Sequence, residues 1–225
     1  MEAPAGPVRT DQLNSPSALI GKTVEGNIVI DQGQWLDEAQ ATIAAENPSS
    51  DQQKITFAER YVKSKLKDAI FAKSNSQTYS QHQTAIDRVL TSEEPRRISE
   101  VLAGGYGVCP DFQAVELALL DQMRMEAYLA GNPSKQHLFL FVKQDGKWVV
   151  SDPFAENYFE TRGVNSTRFS PDYYQGPDIK LFDKTSNVNQ PPEISPLPAP
   201  ASKPKIPTMT LADLKARAAS QKSVK

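Results

Sequence analysis

HLFLFVKQDGKWVVSDPF, residues 137–154, places runs of aromatic and β-branched residues on either side of an Asp-Gly pair. This pattern predicts two strands, HLFLFVK (137–143) and WVVSDPF (148–154), joined by a tight turn at Asp145-Gly146. Residues of this kind accept the positive φ angles that a two-residue hairpin turn demands. The register follows from the turn. With Asp145-Gly146 as the loop, Gln144 faces Lys147, His137 stands opposite Phe154, and Phe139 stands opposite Asp152. Directly paired residues share a face of the ribbon. His137 and Asp152 therefore fall on one face, one diagonal step apart. A four-residue turn preserves this pairing, whereas a three-residue turn would point one of the two side chains away. The hairpin is expected to bring an imidazole to a carboxylate.

Upstream lies GGYGVCPDFQAVELALLDQM, residues 104–123, which holds the chain's single cysteine. Proline is favoured at the first position of a helix, where its missing N–H is not needed and its φ is already helical. With Pro110 at that position, Cys109 is expected as the N-cap. Its sulfur would then face the free amides of Asp111 and Phe112 and the positive end of the helix dipole, which favours the nucleophilic thiolate. The glycines at 104, 105 and 107 would leave room for a substrate backbone, while the Asp111 carboxylate would work against the thiolate. A buried cysteine at a helix start is the plain structural alternative. For His137 it is a residue that merely opens a strand, and for Asp152 an Asp-Pro pair that ends one.

The remaining composition narrows the chemistry. The 225 residues are enough for one large domain with extensions. A net charge of −2 gives no electrostatic reason to expect nucleic acid or an anionic membrane as partner. One cysteine forbids an internal disulfide and a cysteine-based zinc site. With only His82 and His137 as histidines, a histidine-rich metal cluster is not expected either. His82 sits in the polar stretch SQTYSQHQTAID and is expected in solvent. The N-terminus lacks the basic start and apolar core of a secretory signal. LFLFV, at 138–142, is too short to cross a bilayer. The expected location is cytoplasmic, or outside the cell by a route that needs no cleavable signal peptide.

Along the chain, residues 1–17 are polar and rich in Pro and Ser, and are expected to be disordered. A domain over 18–187 follows, with N-terminal helices over 35–102 and a core over 103–159. LIGKTVEGNIVI (19–30) holds a short strand. WLDEAQATIAAEN (35–47) reads as a helix that stops before Pro48. A longer helix is expected from Ser50 or Asp51 to about Ala72, because Ile55, Ala58, Val62, Leu66, Ala69 and Ile70 recur at helical spacing. Further helices are expected over 79–91, 97–102 and 110–123, the last with Phe112, Val115, Leu119 and Met123 on one face. MEAYLA (125–130) reads as a strand. Residues 188–225 form a proline-rich tail, PPEISPLPAPASKPKIP at 191–207, with a short helix in TLADLKARAAS (210–220).

Together, GGYGVCPDFQAVELALLDQM, HLFLFV and KWVVSDPF resemble the transglutaminase-like cysteine enzymes of the papain-like superfamily. The resemblance covers about residues 97–159. It implies an α+β fold with helices packed on a small antiparallel sheet. It also implies Cys109 as nucleophile, His137 as general base and then acid, and Asp152 as the group that orients the imidazole. Where that family often reads His-Ala-Trp, this chain reads His-Leu-Phe, and the family's upstream oxyanion donor has no clear counterpart. The Cys109 backbone N–H is the first candidate for that role, with Gln77, Gln81 and Gln83 as side-chain candidates.

The implied activity is acyl transfer from a protein or peptide amide, as a peptidase, a glutamine deamidase or a transglutaminase, with no metal or organic cofactor. The composition would suit a bacterial effector. One alternative is a cysteine hydrolase acting on cell-wall peptides. The other is a catalytically silent binding module that recruits a partner protein through its proline-rich tail.

Overall fold

The structure is a computed structural model that describes residues 19–24, 28–155, 174 and 179–181. The N-terminal segment, the proline-rich tail and the expected helix at 210–220 lie outside the described residues. The chain opens with β1 (Thr23–Val24) and β2 (Ile28–Val29), followed by α1 (Gln34–Glu46) and α2 (Asp51–Lys65). Next come β3 (Lys67–Asp68), α3 (Ala69–Ser74), α4 (Ser76–Thr91), β4 (Arg96–Arg97), α5 (Ile98–Gly104) and β5 (Tyr106–Gly107). The second half contains α6 (Cys109–Gln122), β6 (Ala127–Asn132), β7 (His137–Gln144), β8 (Lys147–Ser151) and β9 (Lys180–Leu181). The architecture is α+β, as expected.

The main sheet runs β8-β7-β6-β9 with antiparallel neighbours throughout. At the turn, Asp145 and Gly146 both adopt positive φ, 49° and 77°, which is the signature of a type I′ hairpin. Gln144 pairs with Lys147 and Leu140 with Ser151. The expected register is therefore present as far as Ser151, where β8 ends; the expected positions of Phe139 opposite Asp152 and His137 opposite Phe154 lie past the paired strand. Leu138, Leu140 and Val142 of β7 join the core with Phe112, Val115 and Leu119 of α6 and with Met123 just past its end, and all seven are buried. Residues 111–120 of α6 are buried without a gap. This helix is enclosed on every side rather than carrying one apolar stripe, which is why polar Gln113 and Glu116 are found inside the protein.

The helix expected from about 51 to 72 is in fact two. It starts on a capping box, with the Ser50 hydroxyl accepting the Gln53 N–H and the Gln53 amide oxygen accepting the Ser50 N–H; a cap of this kind contributes about 1 kcal/mol. It stops at Leu66, which is extended at φ −119° and ψ 142°. Lys67 and Asp68 then pair in parallel with Tyr106 and Gly107. The Asp68 carboxylate accepts the Ile70 and Phe71 N–H groups and so starts α3. The break resets the helical phase, and Ile70, expected on the buried face, is 52% exposed. The other expected helices are present with small shifts at their ends; in α4, His82 is non-helical at φ −128° and ψ 22°. The strand expected within 19–30 is two short antiparallel strands, β1 and β2. Among the described residues, no helix is long and apolar enough to cross a membrane.

Candidate active site

Cys109 is the first residue of α6, and Val108 is the N-cap. The expected frame was one residue later. Val108 takes the cap position because its N–H is accepted by the Asp111 carboxylate at 2.8 Å, while its carbonyl accepts the Asp111 and Phe112 N–H groups. Those two amides are thus turned to the backbone and not to the sulfur. Cys109 itself is half-buried and unpaired with any other cysteine. As a first-turn residue, its N–H has no acceptor within the helix.

The three glycines before it have structural duties instead of leaving open space for a substrate. Gly105 ends α5 in the left-handed region, at φ 71°, with its N–H on Val101. A Cβ on Gly104 would meet Ala85 at 3.3 Å, so this glycine lets α4 and α5 approach. Gly107 is buried, and a Cβ there would lie 2.9 Å from the Asp111 Cβ.

Asp111 is also not a free charge beside the thiol. It is fully buried, and its Oδ1 accepts the Arg96 Nε–H at 3.2 Å and the Nη2–H at 3.0 Å. Arg96, buried too, gives its third group to the Val89 carbonyl at 3.1 Å. Burial pushes the Asp111 carboxyl above its ordinary range, with Arg96 pulling it down. This pair bolts the first turn of α6 to β4, which positions Cys109.

The hairpin delivers the other two residues. His137 Nε2 lies 2.6 Å from Asp152 Oδ2, with both side chains about 95% shielded from solvent. The Cys109 side chain is close enough to the same histidine to act on it through hydrogen bonding and charge. Since Nε2 faces the carboxylate, Nδ1 is the nitrogen left for the sulfur. Burial alone would push the His137 pKa down. The Asp152 charge and hydrogen bond, together with the Cys109 sulfur, outweigh burial and bring it up to about 9. The imidazole is packed beside Phe154 at 5.9 Å and Phe139 at 6.3 Å between ring centroids. Sulfur, imidazole and carboxylate are therefore linked in series.

Two neighbours of Asp152 were not anticipated from the sequence. Gln113 Nε2 donates to Asp152 Oδ1 at 3.2 Å, and the Tyr174 hydroxyl donates to Oδ2 at 2.9 Å. The Ala155 N–H also reaches Oδ1, at 3.0 Å, so Asp152 caps the helical turn over 153–155. A polar residue within the apolar stretch of α6 was the available signal for Gln113. Tyr174, whose ring lies 4.9 Å from that of Phe139, had no local signature. His82 is exposed and rests on the Tyr106 ring at 5.4 Å, as its polar surroundings suggested. Gln77, Gln81 and Gln83 lie on exposed positions of α4, and Gln83 is engaged with Tyr79 and Asp87 of its own helix. Among the described residues no group of three or more His, Cys, Asp or Glu side chains is arranged to hold a metal ion.

No family model matches the sequence, and no curated protein matches it significantly. Among solved structures, a candidate cysteine protease from Cytophaga hutchinsonii is similar with a TM-score of 0.36 and 14% identity. The match covers 65% of this chain and 45% of that one, so this chain spans less than half of that protein's length. A likeness this distant carries no information about chemistry.

Proposed function

We propose that the protein is a cysteine-dependent acyl-transfer enzyme acting on protein amides, with Cys109 as nucleophile, His137 as general base and acid, and Asp152 as its orienting partner. One observation carries this reading: the His137 ring is held between the Asp152 carboxylate, 2.6 Å from Nε2, and the Cys109 sulfur. A histidine whose pKa is brought up to about 9 is an imidazolium at neutral pH. Next to a sulfur, that cation favours the thiolate, the form that attacks.

The Cys109 thiolate adds to the amide carbonyl, and the Cys109 N–H, left without an acceptor in the first turn of α6, donates to the developing oxyanion. Nδ1 of His137 gives its proton to the departing amine or ammonia as the C–N bond breaks, leaving a thioester on Cys109. Neutral His137 then takes a proton from water. The hydroxyl adds to the thioester, the C–S bond breaks, and the carboxylic acid leaves with the thiolate restored. Asp152 keeps the ring in one tautomer and stabilises its charged form at both stages. A peptide bond would give proteolysis and a glutamine side chain deamidation, while a lysine amine in place of water would give a cross-link. Water is the default acceptor, because excluding it takes a dedicated tunnel or lid.

Intact-mass analysis of candidate protein substrates, exposed to wild type and to Cys109→Ala, tests the proposal. Fragments indicate proteolysis, and a gain of about one mass unit per site indicates deamidation; the Cys109→Ala variant should produce neither. Equal behaviour of the two proteins on every substrate would end the enzymatic reading.

A further inference from the structure

We infer that Gln113 is a positioning residue for Asp152, and that it ties the orientation of the carboxylate directly to the helix that carries the nucleophile. The inference rests on the chemistry proposed above for Cys109, His137 and Asp152. Gln113 lies four residues after Cys109 in α6, so the two residues project from one helical face a single turn apart. Its Nε2 donates to Asp152 Oδ1, while His137 and Tyr174 occupy Oδ2. An ionised carboxylate only accepts, so the amide atom that faces it must be the nitrogen. This orientation leaves Gln113 Oε1 buried without a hydrogen-bond partner.

That orphaned oxygen separates a positioning role from a packing role. Gln113 is fully shielded from solvent, between Phe112 and Ala114 in the continuously buried stretch of α6. A buried acceptor without a donor destabilises the fold, and an apolar side chain of the same length would not carry that penalty. If packing were the only duty of this position, a methionine would serve it better. What the amide contributes is a second grip on Asp152. With Oδ1 held by Gln113 and the Ala155 N–H, the carboxylate cannot swing about its own axis, and Oδ2 stays aimed at His137 Nε2. Any shift of α6 would move Cys109 and Asp152 together, keeping the sulfur and the imidazole in step. Polar residues retained at a cost in stability are expected where function requires them.

Gln113→Met and Gln113→Glu test this through the rate at which iodoacetamide alkylates Cys109 across pH, a readout that needs no substrate. Wild type is expected to react at pH 6–7 far faster than an ordinary thiol, whose pKa is about 8.5. Gln113→Met should melt no lower than wild type. It should nevertheless react about tenfold more slowly at pH 6–7, the scale of one lost hydrogen bond to a charged group, and converge with wild type above about pH 9. Gln113→Glu sets a second carboxyl, fully buried, against Asp152. Burial and the like charge hold its proton on at neutral pH, so its hydroxyl can donate to Asp152, and the rate at pH 6–7 should stay closer to wild type than that of Gln113→Met.

An ordinary-thiol profile in wild type would overturn the chemistry of the site, and this inference with it. Activated wild type with a superimposable Gln113→Met profile would overturn the role of Gln113 alone. So would a Gln113→Met protein that is slower but clearly less stable, or a Gln113→Glu protein that is as slow as Gln113→Met at pH 6–7.

Discussion

The Arg96 guanidinium lies 3.0 Å from the carboxylate of Asp111, two residues past Cys109, and both side chains are buried. Isolated, either charge would be costly in the interior; together they hold β4, the end of α4 and the first turn of α6 in one arrangement. Removing one member of such a pair destabilises more than the pair stabilises, because it strands the other. Arg96→Met should therefore lower unfolding stability by about 3–5 kcal/mol in urea titrations. Arg96→Lys should recover only part of this, since an ammonium cannot reach both Asp111 and the Val89 carbonyl in the same planar geometry.

Gly107 offers a change that adds one methyl group. Its Cβ would fall 2.9 Å from the Asp111 Cβ and 3.3 Å from a Phe112 ring carbon, neither of which is a flexible chain end. Gly107→Ala should cost about 1–3 kcal/mol by overpacking. It should also displace Val108 and Cys109, which follow directly in the chain. Thermal melting reads the first effect, and the alkylation rate of Cys109 near neutral pH reads the second. Gly146→Ala provides the contrast. Its φ of 77° makes alanine strained, at about 1 kcal/mol, but it stands at the open turn, away from the sulfur. That variant should melt lower with Cys109 reactivity unchanged.

These two glycines show where the sequence was legible. Asp145-Gly146 announces its own conformation, because a turn is a local object and only a few residue types tolerate both positive φ angles. The turn then fixes every pairing up to Leu140 with Ser151, and with it the approach of His137 to Asp152. The glycines before Cys109 look alike on paper but do three different things: Gly105 closes α5 locally on Val101, whereas Gly104 depends on Ala85 and Gly107 on Leu66 as well as the start of α6. The break at Leu66–Asp68 was hidden for a related reason. Apolar periodicity runs straight through it, and the competing cause is a parallel pairing with Tyr106 and Gly107, which no local pattern reveals. Gln113 and Tyr174 belong to the same class, since each is defined by a partner 39 or 22 residues away.

Ser151, next to Asp152, bridges two carboxyl groups: its hydroxyl contacts Glu59 Oε1 at 2.7 Å and also Glu116 Oε1. A hydroxyl has one proton and can donate to one of them only. The other contact needs a proton from the carboxyl side, so the arrangement works best with one proton held by the pair. Glu116→Gln installs a permanent donor at the fully buried member. This variant should be at least as stable as wild type at neutral pH, and its advantage should grow as pH rises, measured by urea unfolding at several pH values. A Glu116→Gln protein that is less stable than wild type across the range would rule out the shared proton.

His137 gives the protein a stability that depends on pH in a defined direction. Its folded pKa of about 9 stands above the ordinary value of 6.5. The folded state therefore binds the proton more tightly than the unfolded chain. The resulting stabilisation is complete below pH 6.5, shrinks as pH rises, and is gone once pH passes through about 9. Its size is at most about 3 kcal/mol, and the burial of His137 and Asp152 leaves little water to screen it. Unfolding stability in urea should thus decline between pH 6.5 and 9 in wild type. In His137→Gln the decline over this interval should disappear, because no imidazole remains to titrate. In Asp152→Asn it should shrink, because the carboxylate that holds the proton on the ring is gone. A wild-type profile that is flat across this interval would mean that the imidazole is neutral in the folded protein, and that Cys109 has no cation beside it.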